Sequence, residues 1–161
     1  MRVGKLHNER GFTLLEVMMV IVILAVLTAI ATQKFASSAE MARRNADIAT
    51  GHQLKTALDR YQVENGVYPK TAEVTVTAGV VTATNFIPKY LSKLDNTTTQ
   101  QKAIDPTKMG FGLAVLPVVN GVYSDTPTNL VMIYLNTAGS GAEVRVFNEK
   151  LETTALWSSA N

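Results

Sequence analysis

The sequence contains no cysteine, which excludes disulfides, thiolate zinc sites and cysteine nucleophiles. A domain placed outside the cytoplasm must then hold together by packing, by an ion or by neighbouring subunits. Histidine is nearly as scarce: His7 falls within the first eleven residues, and His52 sits in a polar stretch where it reads as solvent-exposed. There is no glycine-rich phosphate loop and no G-x-S-x-G elbow. No catalytic constellation is present, and the chain reads as a non-enzyme. A formal charge of +2 is a weak signal for nucleic acid and leaves that partner undefined. At 161 residues there is room for one domain and an appendage, but not for two ordinary domains.

What is present is unevenly spread. Residues 1–11, MRVGKLHNERG, carry Arg2, Lys5 and Arg10 against a single Glu9. Phe12 to Ala31 follows as a nearly unbroken apolar run. Twenty residues rising about 1.5 Å each give roughly 30 Å of helix, enough to cross a bilayer core. The cations before it would keep the N-terminus cytoplasmic and send the rest outward. A cleaved secretory signal accounts for Ala29-Ile30-Ala31, an A-x-A at the end of the run. A plain signal anchor accounts for the length and the charge bias. Neither accounts for Glu16, since a carboxylate inside a spanning helix costs on the order of 2.5–3.5 kcal/mol and is by default functional.

Gly11, Phe12 and Glu16 together, in the string G-F-T-L-L-E-V, resemble the processing motif of type IV pilins and their pseudopilin relatives. The chain looks most like a type IVa-type pilin without cysteines. The resemblance implies that a membrane-embedded prepilin peptidase cuts between Gly11 and Phe12 on the cytoplasmic side and methylates the new amine of Phe12. It also implies that Glu16, five positions into the mature chain, serves assembly together with Phe12. The residue types suit those roles. Glycine leaves the backbone open to a protease, and a new α-amino group, with a reference pKa near 8, is largely cationic at neutral pH. The amine of one subunit pairing with a neighbour's carboxylate offsets the burial of both in an apolar bundle. Removing three cations and one carboxylate from 15 and 13 leaves 12 of each sign in the mature chain.

After Gln33 the composition turns polar, with alanines at 36, 39, 42, 46 and 49 and then Leu54, Leu58 and Tyr61 at helical spacing. One helix is expected from about Thr13 to Glu64, with Gly51 read as an exposed, tolerated glycine or a soft point. Many pilins have proline where this chain has Gln33, so the loosening associated with that proline is in question here. Asn65-Gly66 is a helix stop, and Pro69 prevents resumption. Y-Q-V-E-N-G-V-Y-P at 61–69, N-F-I-P-K-Y-L-S-K-L at 85–94 and Asp105-Pro106 are also similar to segments of this superfamily. Tyr68 reads as a core residue.

The remainder reads as strands: a small hairpin around Ala78-Gly79, an apolar run Phe111–Val119 in which Pro117 points to an edge or to the strand's end, and Leu130–Leu135 and Ala142–Phe147 joined by a five-residue loop. The expected fold class is α+β. Its long N-terminal helix, with the apolar half protruding, packs on a small antiparallel sheet of about four strands. Loop 95–108 has no periodicity and its packing is unreadable, and Trp157 reads either as a cap on the sheet or as a contact with a neighbouring subunit. The division expected is a leader at 1–11, a transmembrane and filament-core helix at 12–35, and a head at 36–161. No cofactor is expected. Asp95, Asp105 and Asp125 offer oxygen ligands for calcium, though not at EF-hand spacing, and Asn96-Thr97-Thr98 fits a glycosylation sequon.

The resemblance implies a structural subunit that waits as a single-pass inner-membrane protein and polymerises into an extracellular type IV pilus for adhesion, twitching motility or DNA uptake. Its partners would be other pilin subunits, the prepilin peptidase and methyltransferase, and an inner-membrane assembly platform. The alternative is a pseudopilin of a type II secretion system, forming a periplasmic piston for protein export.

Overall fold

A computed structural model describes residues 11–116 and 126–160. The chain divides into two compact units, residues 1–39 and 40–161. A single helix, α1 (Leu14–Asn65), contributes to both.

In the first unit, α1 is continuous through Gln33, with no break where the proline of many pilins is missing. Its hydroxyls fold back onto the helix: Thr28 donates to the Leu24 carbonyl at 2.7 Å, and Thr32 to that of Ala29 at 3.0 Å. That satisfies them within the segment, as an apolar surrounding requires. The large apolar side chains from Leu14 to Ile30 are all at least 49% exposed.

In the second unit, α1 presents a buried stripe of Asp47, Gly51, Leu54, Ala57, Leu58 and Tyr61, at the three- and four-residue spacing of one helix face. Gly66, with φ +79°, ends the helix and donates its N–H to the Gln62 carbonyl at 2.8 Å. That left-handed cap is open to glycine without strain.

Strands β1 (Thr75–Thr77) and β2 (Val80–Thr82) form an antiparallel hairpin. Then β3 (Phe111–Leu116), β4 (Val131–Asn136), β5 (Ala142–Val146) and β6 (Trp157–Ser158) build a four-stranded sheet in that order. The α+β class and the strand count are as the sequence implies. The sheet differs in one pairing: β3 and β4 run parallel, the other pairs antiparallel. The long connection from 117 to 130 permits this, because parallel neighbours need a crossover rather than a tight turn. Pro117 and Val119 lie outside the described residues.

One face of the sheet, with Phe111, Val131, Ile133, Leu135, Val144 and Val146, joins Leu54, Leu58 and Tyr61 of α1 in a single core. Met132, Tyr134 and Phe147 form a smaller cluster with Leu116 and Leu151. Because β4 is buried at five successive positions, it reads as a continuous apolar run rather than an alternating one.

The structure bears on three local expectations. Gly51 is buried, not exposed: a Cβ there would lie 2.7 Å from Val146 Cγ2 and 3.0 Å from Trp157. The glycine is what lets α1 approach the sheet this closely. Trp157 lies in β6, with its ring 4.2 Å from that of His52. Loop 95–108 is held by a fully buried carboxylate, Asp47, which accepts from Gln100 N at 2.6 Å and from Gln101 N and Nε2 at 3.0 Å. Three donors offset the desolvation of that charge.

Candidate processing and assembly site

Gly11, Phe12 and Thr13 precede the helix in non-helical backbone. Among the described residues nothing lies within 4 Å of where a Gly11 Cβ would be, and Phe12 is 88% exposed. The described residues therefore leave the Gly11–Phe12 bond uncovered, which an approaching protease requires.

The start of α1 is fixed by a reciprocal cap. The Glu16 N–H donates to Thr13 Oγ1 at 3.2 Å, and the Glu16 carboxylate accepts from Thr13 N at 2.9 Å and Thr13 Oγ1 at 3.1 Å. Thr13 is the N-cap and Glu16 the third helical residue, the arrangement of a capping box, and a carboxylate there also meets the positive end of the helix dipole. The signal was in the sequence, a threonine three positions before a glutamate at the head of an apolar run.

Of the expected site residues, the structure puts Glu16 in contact with Thr13 and leaves Gly11 and Phe12 as open backbone beside that pair. Cleavage at Gly11–Phe12 would free an amine one residue before the N–H that Glu16 already holds. The carboxylate observed here caps its own helix.

The other candidates are engaged locally. Asp95 accepts from Lys93, Thr97 and Thr98, and these bonds, led by the Thr97 hydroxyl, hold its carboxyl below the usual range. The Thr107 hydroxyl and amide do the same for Asp105. Asp125 lies outside the described residues. Among the described residues no three His, Cys, Asp or Glu side chains gather to hold a metal. Asn96 is exposed. Tyr68, expected in the core, is half-buried with its hydroxyl donating to Asp59 at 2.8 Å.

Comparison with known proteins agrees with this geometry at the N-terminus. The family model of the prokaryotic N-terminal methylation motif matches residues 6–32. The chain is similar to Type II secretion system core protein G of Pectobacterium carotovorum subsp. carotovorum, 40% identical over 67 residues, covering 42% of this chain and 43% of that protein. It is likewise similar to core protein G of Escherichia coli K12, 40% identical over 64 residues, covering 40% of this chain and 44% of the relative. Type IV major pilin protein PilE of Neisseria gonorrhoeae is 29% identical over 86 residues, covering 53% of this chain and 50% of that protein. The chain thus spans about half the length, or less, of these curated relatives. No solved structure matches. The resemblance to type IV pilins and pseudopilins holds: this chain carries the methylation motif and is similar to members of both groups.

Proposed function

We propose that this chain is a structural pseudopilin-type subunit, one that assembles into a short periplasmic fibre serving type II protein secretion. The similarity to core protein G at 40% identity carries this reading over the extracellular pilus, toward which the matched pilin is 29% identical. In this reading residues 1–11 are a leader, 12–35 the membrane anchor and later fibre core, and 36–161 the head. The peptidase cuts between Gly11 and Phe12 and methylates Phe12. The reading includes no catalytic residue and no resident cofactor.

The apolar segment supports it physically. One helix among the described residues is long and apolar enough to cross a membrane, and none of its apolar window is buried by the rest of the chain. Those side chains need lipid before assembly and neighbouring helices afterwards. Mass spectrometry of the mature protein should find a methylated Phe12 as its first residue, whereas a start at Met1 would sink the reading. Deletion of the gene should abolish export of secreted enzymes while surface filaments persist. The longer, weaker match to PilE keeps the pilus as the second reading, and loss of surface filaments with secretion intact would select it.

A further inference from the structure

Asn65 and Gly66 end α1, and this pair has a chemistry that the helix cap does not use. An asparagine followed by glycine can lose its side-chain amide in water. The Gly66 nitrogen attacks Asn65 Cγ, a new C–N bond closes a five-membered imide, and the old amide nitrogen leaves as ammonia with the proton given up by Gly66. Water then opens the imide at either carbonyl, to aspartate or to isoaspartate, whose main chain is one carbon longer. Glycine favours the first step because no Cβ crowds the attacking nitrogen. Asn65 is exposed, so water reaches it, and among the described residues nothing lies within 4 Å of where a Gly66 Cβ would be.

Both reacting groups are nonetheless held. The Gly66 N–H donates to the Gln62 carbonyl at 2.8 Å, and a nitrogen whose proton is kept in a helix bond is a poor nucleophile. Asn65 Nδ2 donates to the Tyr61 carbonyl at 2.8 Å and to the Tyr90 hydroxyl at 3.2 Å. That uses both of its donors and ties the carboxamide over the preceding turn. Tyr90 is itself fixed, its hydroxyl donating to Glu64 at 2.7 Å and its ring packed on Tyr61 and Phe86.

We infer that Asn65 is a deamidation site held shut by the folded head, and that its conversion detaches the end of α1 from the 85–94 segment. Reaction requires the Gly66 N–H and the Asn65 carboxamide to be released together, which is a fraying of the last helical turn. Helix ends open locally more readily than cores, so the step needs no global unfolding. The product does not close again. A carboxylate has no proton to donate to the Tyr61 carbonyl or to Tyr90. It also adds negative charge at the negative end of the helix dipole, next to Glu64, which its own bonds keep ionised. Isoaspartate further lengthens the main chain at the cap and displaces Gly66 N from Gln62. The change is irreversible and accumulates with the age of a subunit.

Trypsin cuts after Arg60 and Lys70, so the peptide YQVENGVYPK, residues 61–70, isolates this Asn-Gly pair. Its conversion to the aspartate and isoaspartate forms is followed by chromatography and mass spectrometry after incubating the folded full-length protein in detergent. The free synthetic peptide in the same buffer supplies the unlatched rate. The folded protein should react about tenfold more slowly or less, an opening equilibrium of at least about 1.4 kcal/mol. Tyr90→Phe should raise the folded rate about threefold, the loss of one ordinary hydrogen bond. Equal rates in protein and peptide would overturn the latch, as would a Tyr90→Phe rate equal to that of the unsubstituted protein. A free peptide that stays unconverted would overturn the site. Asn65→Asp, which carries the product from the start, should lower the melting temperature of the head by about 4 °C. Unchanged melting would overturn the proposed detachment.

Discussion

The two halves of α1 share a backbone conformation and differ in everything that stabilises it. From Leu14 to Ile30 the large apolar side chains are at least 49% exposed, whereas Leu54, Ala57, Leu58 and Tyr61 are at most 7% exposed. The second half is amphipathic and is covered by the sheet that its own chain supplies. The first is apolar all round, which in a stable helix means burial in something outside the chain. One helix therefore belongs to two folding problems, one solved by the head and one that the proposed reading assigns to lipid or neighbouring subunits. Mutations in the two halves should separate by what they report: assembly for the first, head stability for the second.

The largest effect is expected at the one charge in the apolar half. Glu16→Ala should leave cleavage at Gly11–Phe12 in place, on mass spectrometry, and reduce fibre yield by about a hundredfold or more. An uncompensated buried amine costs about 3–5 kcal/mol, and each 1.4 kcal/mol is tenfold. Glu16→Gln separates the observed cap from the proposed charge pairing. Glutamine still closes the capping box with Thr13, so failure of this variant to assemble assigns the defect to charge pairing. Normal fibres from Glu16→Gln would assign Glu16 to the helix cap, whose loss costs about 1 kcal/mol.

Next is the contrast between cores. Phe111→Ala, at a position with 0% exposure, should destabilise the head by about 3–5 kcal/mol. Val22→Ala, 61% exposed in the first unit, should leave head melting unchanged. Both are read in detergent from the fluorescence of the single tryptophan, Trp157, which lies in the head. Equal effects from the two would break the division proposed between the halves.

Gly51→Ala sets two principles against each other. Helix propensity alone favours alanine by about 1 kcal/mol. The new Cβ would meet Val146 Cγ2 at 2.7 Å and the Trp157 ring at 3.0 Å, and overpacking of this kind costs about 1–3 kcal/mol. The expected result is a net loss of about 1 kcal/mol, measured by denaturant unfolding. A gain would mean that the sheet yields easily and that the close approach of α1 is incidental.

The fold was legible where one physical signal dominated. The apolar run, the helix stop at Asn65-Gly66 and the glycine-containing loop before β5 each announced themselves by local chemistry, and the boundaries differ by a residue or so. Three features were illegible because their cause is tertiary. Asp47 looks like any polar residue in a helix until Gln100 and Gln101 close over it. Gly51 looks expendable until Val146 and Trp157 are in place. The parallel pairing of β3 and β4 depends on a connection whose sequence carries no periodicity. At the candidate site, sequence named Gly11, Phe12 and Glu16, and the T-x-x-E spacing of Thr13 and Glu16 also carried the capping box that the structure displays.

The smallest effect expected comes from the polar cluster where α1 ends. Glu64 accepts from Tyr90 at 2.7 Å, Arg60 at 3.0 Å and Lys89 at 3.2 Å. These bonds, the Tyr90 hydroxyl first, lower its pKa from 4.5 to about 2. A carboxyl depressed on folding contributes stability that is present above its unfolded pKa and is lost as pH falls through the folded one. The window is therefore pH 4.5 down to about 2. Because the cluster is open to solvent, screening keeps the contribution small. The melting temperature of the head should decline across that window, and Glu64→Gln should flatten part of the decline while leaving neutral-pH melting only slightly lower. Salt should shrink the difference, since exposed pairs are screened over about 10 Å at 0.1 M. An identical pH profile in the variant would show that α1 is tied to the 85–94 segment by the packing of Tyr61 on Phe86 and Tyr90. The helix end would then be held as the rest of the head is held, by apolar contact rather than by charge.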